Sequence, residues 1–408
     1  MGQSLCLRPP GRAPPGQTHD LHPMMLRLLI AGLLGALLGA CASPRPPAAP
    51  PALFNDALFK PPAGRISVDD VFAVSDAMRH YLKVDIGGQI VTRGAQAGLV
   101  EALSKRGQLR LEYDAARTKT AAEAFAARSG NCLSLVLMTA AFAKELNLTV
   151  SYQSAHLEET WSRTDGLLFA SGHVNITIGR RLLDAGTRRE LSPLTIDFLP
   201  PEDIKRMRTR EISEATVLAM YANNRAAEAI AARQLDDAYA WVGEALRRDP
   251  GFIGAYNTLG VIYLRHGDLA EAGQVFGHVL GLDPQHTRAL SNLAETYTRQ
   301  GRMEAAEATR RRLAVLEPLA PFHWFNLGME AMRRADYRAA RDLFAREVAR
   351  ADYYHEFHFW LAVASAQLGD TAAARKHLAL ALENSTTSGQ HAVYAAKLAR
   401  LKSAAQPQ

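Results

Sequence analysis

From about residue 219 onward the chain matches itself at a spacing of 34 residues, and a period of that length dictates a stack of similar two-helix units. The clearest unit carries Tyr256, Leu259, Gly260, Tyr263, Gly267, Ala272, Phe276 and Pro284. One period later stand Leu290, Leu293, Ala294, Tyr297, Gly301, Ala306 and Pro318, and after them Trp324, Leu327, Gly328, Ala340 and Phe344. A weaker unit follows with Leu361, Ala362, Gly369, Ala374, Leu378 and Ala381, and Ala238, Val242, Ala245 and Pro250 mark a first one. Small residues at 260, 294 and 328 let the first helix of a pair approach the second, large side chains fill the space between pairs, and prolines stop the second helix. No single unit can bury its own apolar face, so the units must stack.

This pattern resembles the tetratricopeptide repeat. The resemblance covers nearly half of the chain and implies an all-α superhelical solenoid over residues 209–386, about five repeats, with a protein or peptide partner on its concave face. Residues 387–403 suit a capping helix that closes the stack, and 404–408 a disordered tail.

The amino-terminal end reads differently. Met24-Met25-Leu26-Arg27 opens a short basic region, Leu28 to Leu38 is apolar, and Leu38-Gly39-Ala40-Cys41 follows. The apolar run is short for a span of roughly 30 Å, and a cleavable signal fits it better. The four residues ending at Cys41 resemble the lipobox of bacterial lipoproteins. That resemblance implies cleavage before Cys41, diacylation of its sulfur, and a lipid-anchored protein of the cell envelope. By resemblance to the sorting rule of enteric lipoproteins, Ala42 after the cysteine implies the outer membrane, with the body facing the periplasm. Residues 1–41 are therefore expected to be leader and signal, with translation starting at Met24 or Met25, and residues 42–55 a Pro/Ala-rich tether.

Of the three cysteines, Cys6 falls in the leader and Cys41 in the lipobox, which leaves Cys132 without a disulfide partner. An unpaired thiol in an exported protein is either buried or used. Cys132 follows Asn131, a good N-cap, and opens an apolar stretch running to about Leu146, which predicts a helix buried on most sides. At the first turn of such a helix, unpaired N–H groups and the positive dipole end favour thiolate and can cradle an oxyanion. Earlier in the region, Ser67-Val68-Asp69-Asp70 predicts a helix start, and Thr118 to Ala127 a second helical segment.

Downstream the period changes to two, over Thr149–Gln153 and His173–Ile178. A turn at Ile178-Gly179 or Gly179-Arg180 then sets Asp184 opposite or diagonal to His173, on one face of a hairpin. Nucleophile, base and orienter are thereby assigned to Cys132, His173 and Asp184. His156 is a rival base without a following aspartate on a paired strand.

Residues 115–190 resemble the bacterial transglutaminase-like family within the papain-like cysteine peptidase superfamily. The resemblance rests on Thr120-Ala121-Ala122-Glu123-Ala124-Phe125, Arg128-Ser129-Gly130-Asn131-Cys132, Gly172-His173-Val174 and Leu183-Asp184. It implies an α+β papain/transglutaminase-like domain, here bounded at 56–208, and an acyl-enzyme mechanism on Cys132, His173 and Asp184. The chain departs from the family in having Val174-Asn175 after the histidine and no tryptophan beside the cysteine.

The sequence thus predicts a Cys-His-Asp thiol hydrolase or acyltransferase acting on amide bonds, with repeats that recruit a polypeptide. The alternative is a non-catalytic scaffold whose thiol domain is a binding platform. HExxH, CxxC and phosphate-cradling glycine patterns are absent from the sequence, so neither a metal nor another cofactor is expected. The net charge of +6 comes without a basic run interleaved with aromatics, which argues against nucleic acid.

Overall fold

The computed structural model describes residues 48–104, 109, 111–156, 161–164, 167–170, 173–181, 193–198 and 208–403. The expected leader, with Cys41, lies outside the described residues, as do Asp184 and the tail 404–408. Among the described residues no helix is long and apolar enough to cross a membrane.

The thiol region opens with α1 (Asp76–His80), which continues into a π-helical turn at Tyr81–Asp85, then α2 (Gly87–Arg93) and α3 (Ala95–Ser104). The helix start expected at Ser67 does not form. The Ser67 hydroxyl instead accepts the Asp69 N–H at 3.2 Å in a local turn, and the cap is Ser75, which accepts the Met78 N–H. A two-residue β1 (Glu112–Tyr113) follows. Next comes α4 (Ala121–Ala127), whose Thr120 and Glu123 form a reciprocal capping box. After β2 (Ser129–Gly130) runs α5 (Cys132–Glu145), capped by Asn131 as its sequence predicts. Residues 132–143 of α5 are all buried, because a helix apolar on every side has to lie inside.

The remaining strands are β3 (Leu148–His156), β4 (Trp161–Thr164), β5 (Leu167–Ala170), β6 (His173–Arg181), β7 (Leu194–Ile196) and β8 (Arg208–Ile212). Four of them make an antiparallel sheet in the order β7-β6-β3-β8, and α5 packs across β3 and β6. β1 pairs with β2 in parallel, and β4 with β5 antiparallel.

Two sequence expectations need correction here. No turn occurs at 178–180: β6 runs straight through Gly179 to Arg181, so neither hairpin register that would place Asp184 beside His173 exists. Gly179 serves a close approach instead, since a Cβ there would lie 2.1 Å from Thr149 Oγ1, next to an irregularity in the β3–β6 pairing. The domain boundary drawn at 208/209 also falls inside β8, which belongs to the sheet through its pairing with β3.

The solenoid begins after Ser213 and consists of antiparallel helix pairs. These are α6 (Glu214–Ala231) with α7 (Leu235–Arg248), α8 (Ile253–His266) with α9 (Leu269–Leu282), α10 (Thr287–Arg299) with α11 (Met303–Leu316), α12 (His323–Arg333) with α13 (Tyr337–Arg350), and α14 (His355–Gln367) with α15 (Thr371–Glu383). The closing helix α16 spans Ser388–Ser403. The expected small–large fit is present: a Cβ on Gly260 would meet the Phe276 ring at 2.5 Å, and one on Gly328 the Phe344 ring at 2.5 Å. The turn between paired helices needs one left-handed residue each time, at Arg233, Gly267, Gly301, Ala335 and Gly369.

One apolar core runs from the thiol region through the first two repeats to Leu293 in α10. A second core gathers around Phe322, Phe325, Phe344 and Phe357, and a third around Leu378 and Tyr394. Polar contacts reinforce the junction of sheet and solenoid. Tyr152 Oη donates to Glu214 Oε2 at 3.0 Å, Lys144 Nζ pairs with the same carboxylate, and the Thr118 N–H donates to Glu228 Oε1 at 2.6 Å.

The chain before the thiol region is not a free tether up to residue 55. Short 3-10 turns at Pro51–Leu53 and Asp56–Leu58 carry it along the first two repeats.

Candidate active site

Cys132 begins α5, and its residue is 9 % exposed. The helix start is built by side chains around it. Asn131 Oδ1 accepts both the N–H and the hydroxyl of Ser134, at 2.9 and 2.8 Å, and its Nδ2 donates to Thr118 Oγ1 at 2.9 Å. Ser134 Oγ in turn accepts the Lys119 N–H at 2.8 Å, and Lys119 Nζ bonds Asp114 at 2.8 Å and Ser129 Oγ at 3.2 Å. Gly130 has to be small, because a Cβ there would meet Ser134 Cβ at 2.6 Å. This mesh fixes the backbone on both sides of the sulfur.

His173 starts β6 opposite Ala155 of β3, and 3 % of its side chain is exposed. Its Nε2 lies 2.7 Å from Asp197 Oδ1, whose own side chain is 5 % exposed. The Cys132 thiol also lies close enough to the imidazole to raise its affinity for a proton. Burial alone would lower the affinity of His173 for a proton. The hydrogen bond to Asp197 and the nearby Cys132 thiol, with the charges behind them, override it and push the pKa up to about 9. Among the described residues, the carboxylate on His173 is thus Asp197, the residue after β7, whereas the expected partner Asp184 lies outside them.

Asn175 stands two residues along β6 on the same face and is buried. Its Nδ2 lies 3.5 Å from Asp197 Oδ2, so the amide borders the second oxygen of the carboxylate. Cys132, His173 and Asp197 therefore come from three different places: α5, β6 and the end of β7.

Tyr113 is a further residue at the sulfur that no sequence signal singled out. Parallel pairing of β1 with β2 sets it opposite Gly130, the residue two before Cys132. The residue is 38 % exposed, and desolvation together with the Cys132 sulfur holds the phenol above its ordinary range. The raised affinity keeps the phenol protonated near the nucleophile. Asp197, by contrast, had a faint signal: it continues the alternation of Leu194-Thr195-Ile196 by one residue.

The loop between β1 and α4 is held by the solenoid at two places. Glu228 of the first repeat receives Thr118, and the carbonyl of Thr386, just before α16, accepts the Ala115 N–H at 2.8 Å. Among the described residues no group of three or more His, Cys, Asp or Glu side chains is arranged to hold a metal.

Two tetratricopeptide repeat models match the chain, over residues 263–318 and 325–388, so those helix pairs are tetratricopeptide repeats. The chain is 29 % identical over 119 residues to Superkiller protein 3 of Schizosaccharomyces pombe, a stretch that covers 29 % of this chain and only 8 % of that protein. Among solved structures, a thermophilic TPR protein of Thermus thermophilus aligns with 18 % identity and a TM-score of 0.28, over 44 % of this chain and 99 % of that one. PilF of Pseudomonas aeruginosa aligns with 16 % identity and a TM-score of 0.27, over 45 % of this chain and 84 % of that one.

Proposed function

We propose that this tetratricopeptide repeat protein is a lipid-anchored envelope thiol enzyme that acts on amide bonds of a polypeptide bound along its repeats. The observation that carries the reading is the buried His173–Asp197 bond of 2.7 Å, with the proton affinity of the same imidazole raised by the thiol of a cysteine at a helix start. Cys132 is then nucleophile, His173 general acid and base, and Asp197 the group that orients the ring and supports its charge. The likeness of residues 115–190 to transglutaminase-like sequences agrees with these roles for Cys132 and His173, and Asp197 takes the place given to Asp184.

In the first step the Cys132 thiolate adds to the carbonyl carbon, a C–S bond forms, and the π pair moves to the oxygen. The Cys132 N–H at the start of α5 stabilises that oxyanion. Collapse breaks the C–N bond, and the His173 imidazolium gives its proton to the departing amine, leaving a thioester and a neutral imidazole. Water or a second amine then attacks the thioester while the imidazole takes its proton, and the C–S bond breaks to restore the thiolate–imidazolium pair. Water makes the protein a hydrolase, an amine a transferase.

Anchoring through Cys41, with the body in the periplasm, rests on the resemblance of Leu38-Gly39-Ala40-Cys41 to a lipobox. Incorporation of labelled fatty acid into the wild-type chain, and its loss in Cys41→Ser, is the matching test.

Acyl-enzyme formation from p-nitrophenyl acetate, read by intact mass, tests the chemistry. One acetyl group is expected on wild type, none at that site in Cys132→Ser, and a strongly slowed reaction in His173→Ala. Acetylation that ignores both substitutions contradicts the reading. It would favour a scaffold whose thiol is enclosed, a role with which the low exposure of Cys132 is also compatible.

A further inference from the structure

Residues 53–63 lie on the first two repeats as a bound peptide would. The Tyr263 hydroxyl reads two main-chain groups, accepting the Asn55 N–H at 2.9 Å and donating to the Leu53 carbonyl at 3.1 Å. Asp236 and Asp237, in the first turn of α7, accept the N–H groups of Lys60 and Ala63 at 3.0 and 2.7 Å. These two carboxylates therefore serve another segment, and no side chain of the Gln234 N-cap bonds to the start of α7. Side-chain selection is concentrated at three points, the first being the Asp56 carboxylate, which accepts the Tyr239 hydroxyl at 2.7 Å. Asn55 Nδ2 donates to Glu271 Oε1 at 3.1 Å, and the Phe59 ring stacks on Tyr239 at 4.0 Å with His266 at 4.8 Å on another side.

The segment has the marks of an exchangeable ligand. It forms no strand and no helix longer than a 3-10 turn. Asp56, Ala57 and Lys60 are exposed, and the hydrogen bonds from Lys60 and Ala63 lie at the surface.

We propose that residues 53–63 are a resident, displaceable strap, and that the surface beneath them receives an extended polypeptide segment of the same chemistry. That segment carries an amide side chain four residues before an aromatic ring, followed by free main-chain N–H groups for the two aspartates. Acidic side chains beyond the aromatic are disfavoured, because Asp236 and Asp237 already supply negative charge there. Covalent attachment gives the strap a high effective concentration, so an external segment competes only once the strap is loosened. The inference rests on the repeats as a polypeptide-binding surface and not on the thiol chemistry.

The probe is a fluorescent synthetic peptide with the sequence of residues 49–64, titrated into the full chain and followed by anisotropy. The Phe59→Ala chain, its strap weakened, is expected to bind at least about tenfold more tightly than wild type. A peptide with alanine for its phenylalanine at 59 is expected to bind neither. Equal binding to both chains, or none to a folded Phe59→Ala chain, overturns the proposal. Hydrogen exchange on wild type gives a second reading that needs no variant: the Lys60 and Ala63 amides must exchange well before those of α8. Exchange of these amides only on global unfolding makes the strap a fixed part of the fold and also overturns it. Both experiments read the same in Cys132→Ser, so a failure of the strap and a failure of the thiol reading are separate outcomes.

Discussion

The second and third repeats follow one pattern and pack in opposite ways. In α9 the ring of Phe276 sits against Gly260 and is fully buried. One period on, the equivalent residue of α11 is Arg310, whose guanidinium reaches Thr298 Oγ1 at 2.6 Å, and Ala306 is the one buried residue of that helix. Val315 is 80 % and Met303 61 % exposed on the same element. The aromatic returns at Phe344, and with it a new apolar core. Replacing one ring by a charged chain at a stacking position therefore divides the solenoid. The first two repeats share a core with the thiol region, and the last two hold cores of their own.

That division predicts two separable unfolding events, and substitutions on either side of α11 sharpen or break it. Phe276→Ala removes a ring from the shared core and should cost about 3–5 kcal/mol, visible in thermal scans as loss of the transition that also reports the thiol region. Phe344→Ala should cost a similar amount but move only the other transition. Gly328→Ala forces a Cβ into the Phe344 ring and should cost about 1–3 kcal/mol in the distal repeats alone. A single transition displaced by all three variants contradicts the division. Asn131→Ala removes the cap of α5 and its bond to Thr118, for about 1 kcal/mol from the shared core. Ala335→Gly relieves a left-handed residue that is glycine in three of the other four repeats, and should stabilise the distal part by about 1 kcal/mol.

The repeats were legible because each position is stated several times at fixed spacing. Gly260, Gly328 and the prolines after the second helices say the same thing in succession. The helix at Cys132 was legible for a local reason, an N-cap followed by an unbroken apolar run. The partner of His173 was not, since Asp197 reaches it through pairing of β6 with β7 across a long connection, and nothing at 197 states that pairing. Gly179 misled because a glycine that admits a neighbouring strand and one that makes a turn look alike in a sequence. Arg310 was readable as a break in the pattern, and Arg233 and Ala335 show that the left-handed turn persists where glycine does not.

The raised pKa of His173 gives the site a pH signature. Its protonated form persists up to about 9, so acylation that needs the imidazolium should fall on the alkaline side of that value, and the limb should move to lower pH in Asp197→Asn.

The account stands on the pairing of Cys132 with a histidine held by Asp197. The most direct measurement is the rate of Cys132 alkylation by iodoacetamide against pH, in wild type and in folded His173→Ala and Asp197→Asn chains. The account predicts that the wild-type thiol reacts faster than either variant below about pH 9, with His173→Ala the slower of the two. Identical profiles in all three chains would contradict it and leave Cys132 a core residue beside an unrelated histidine.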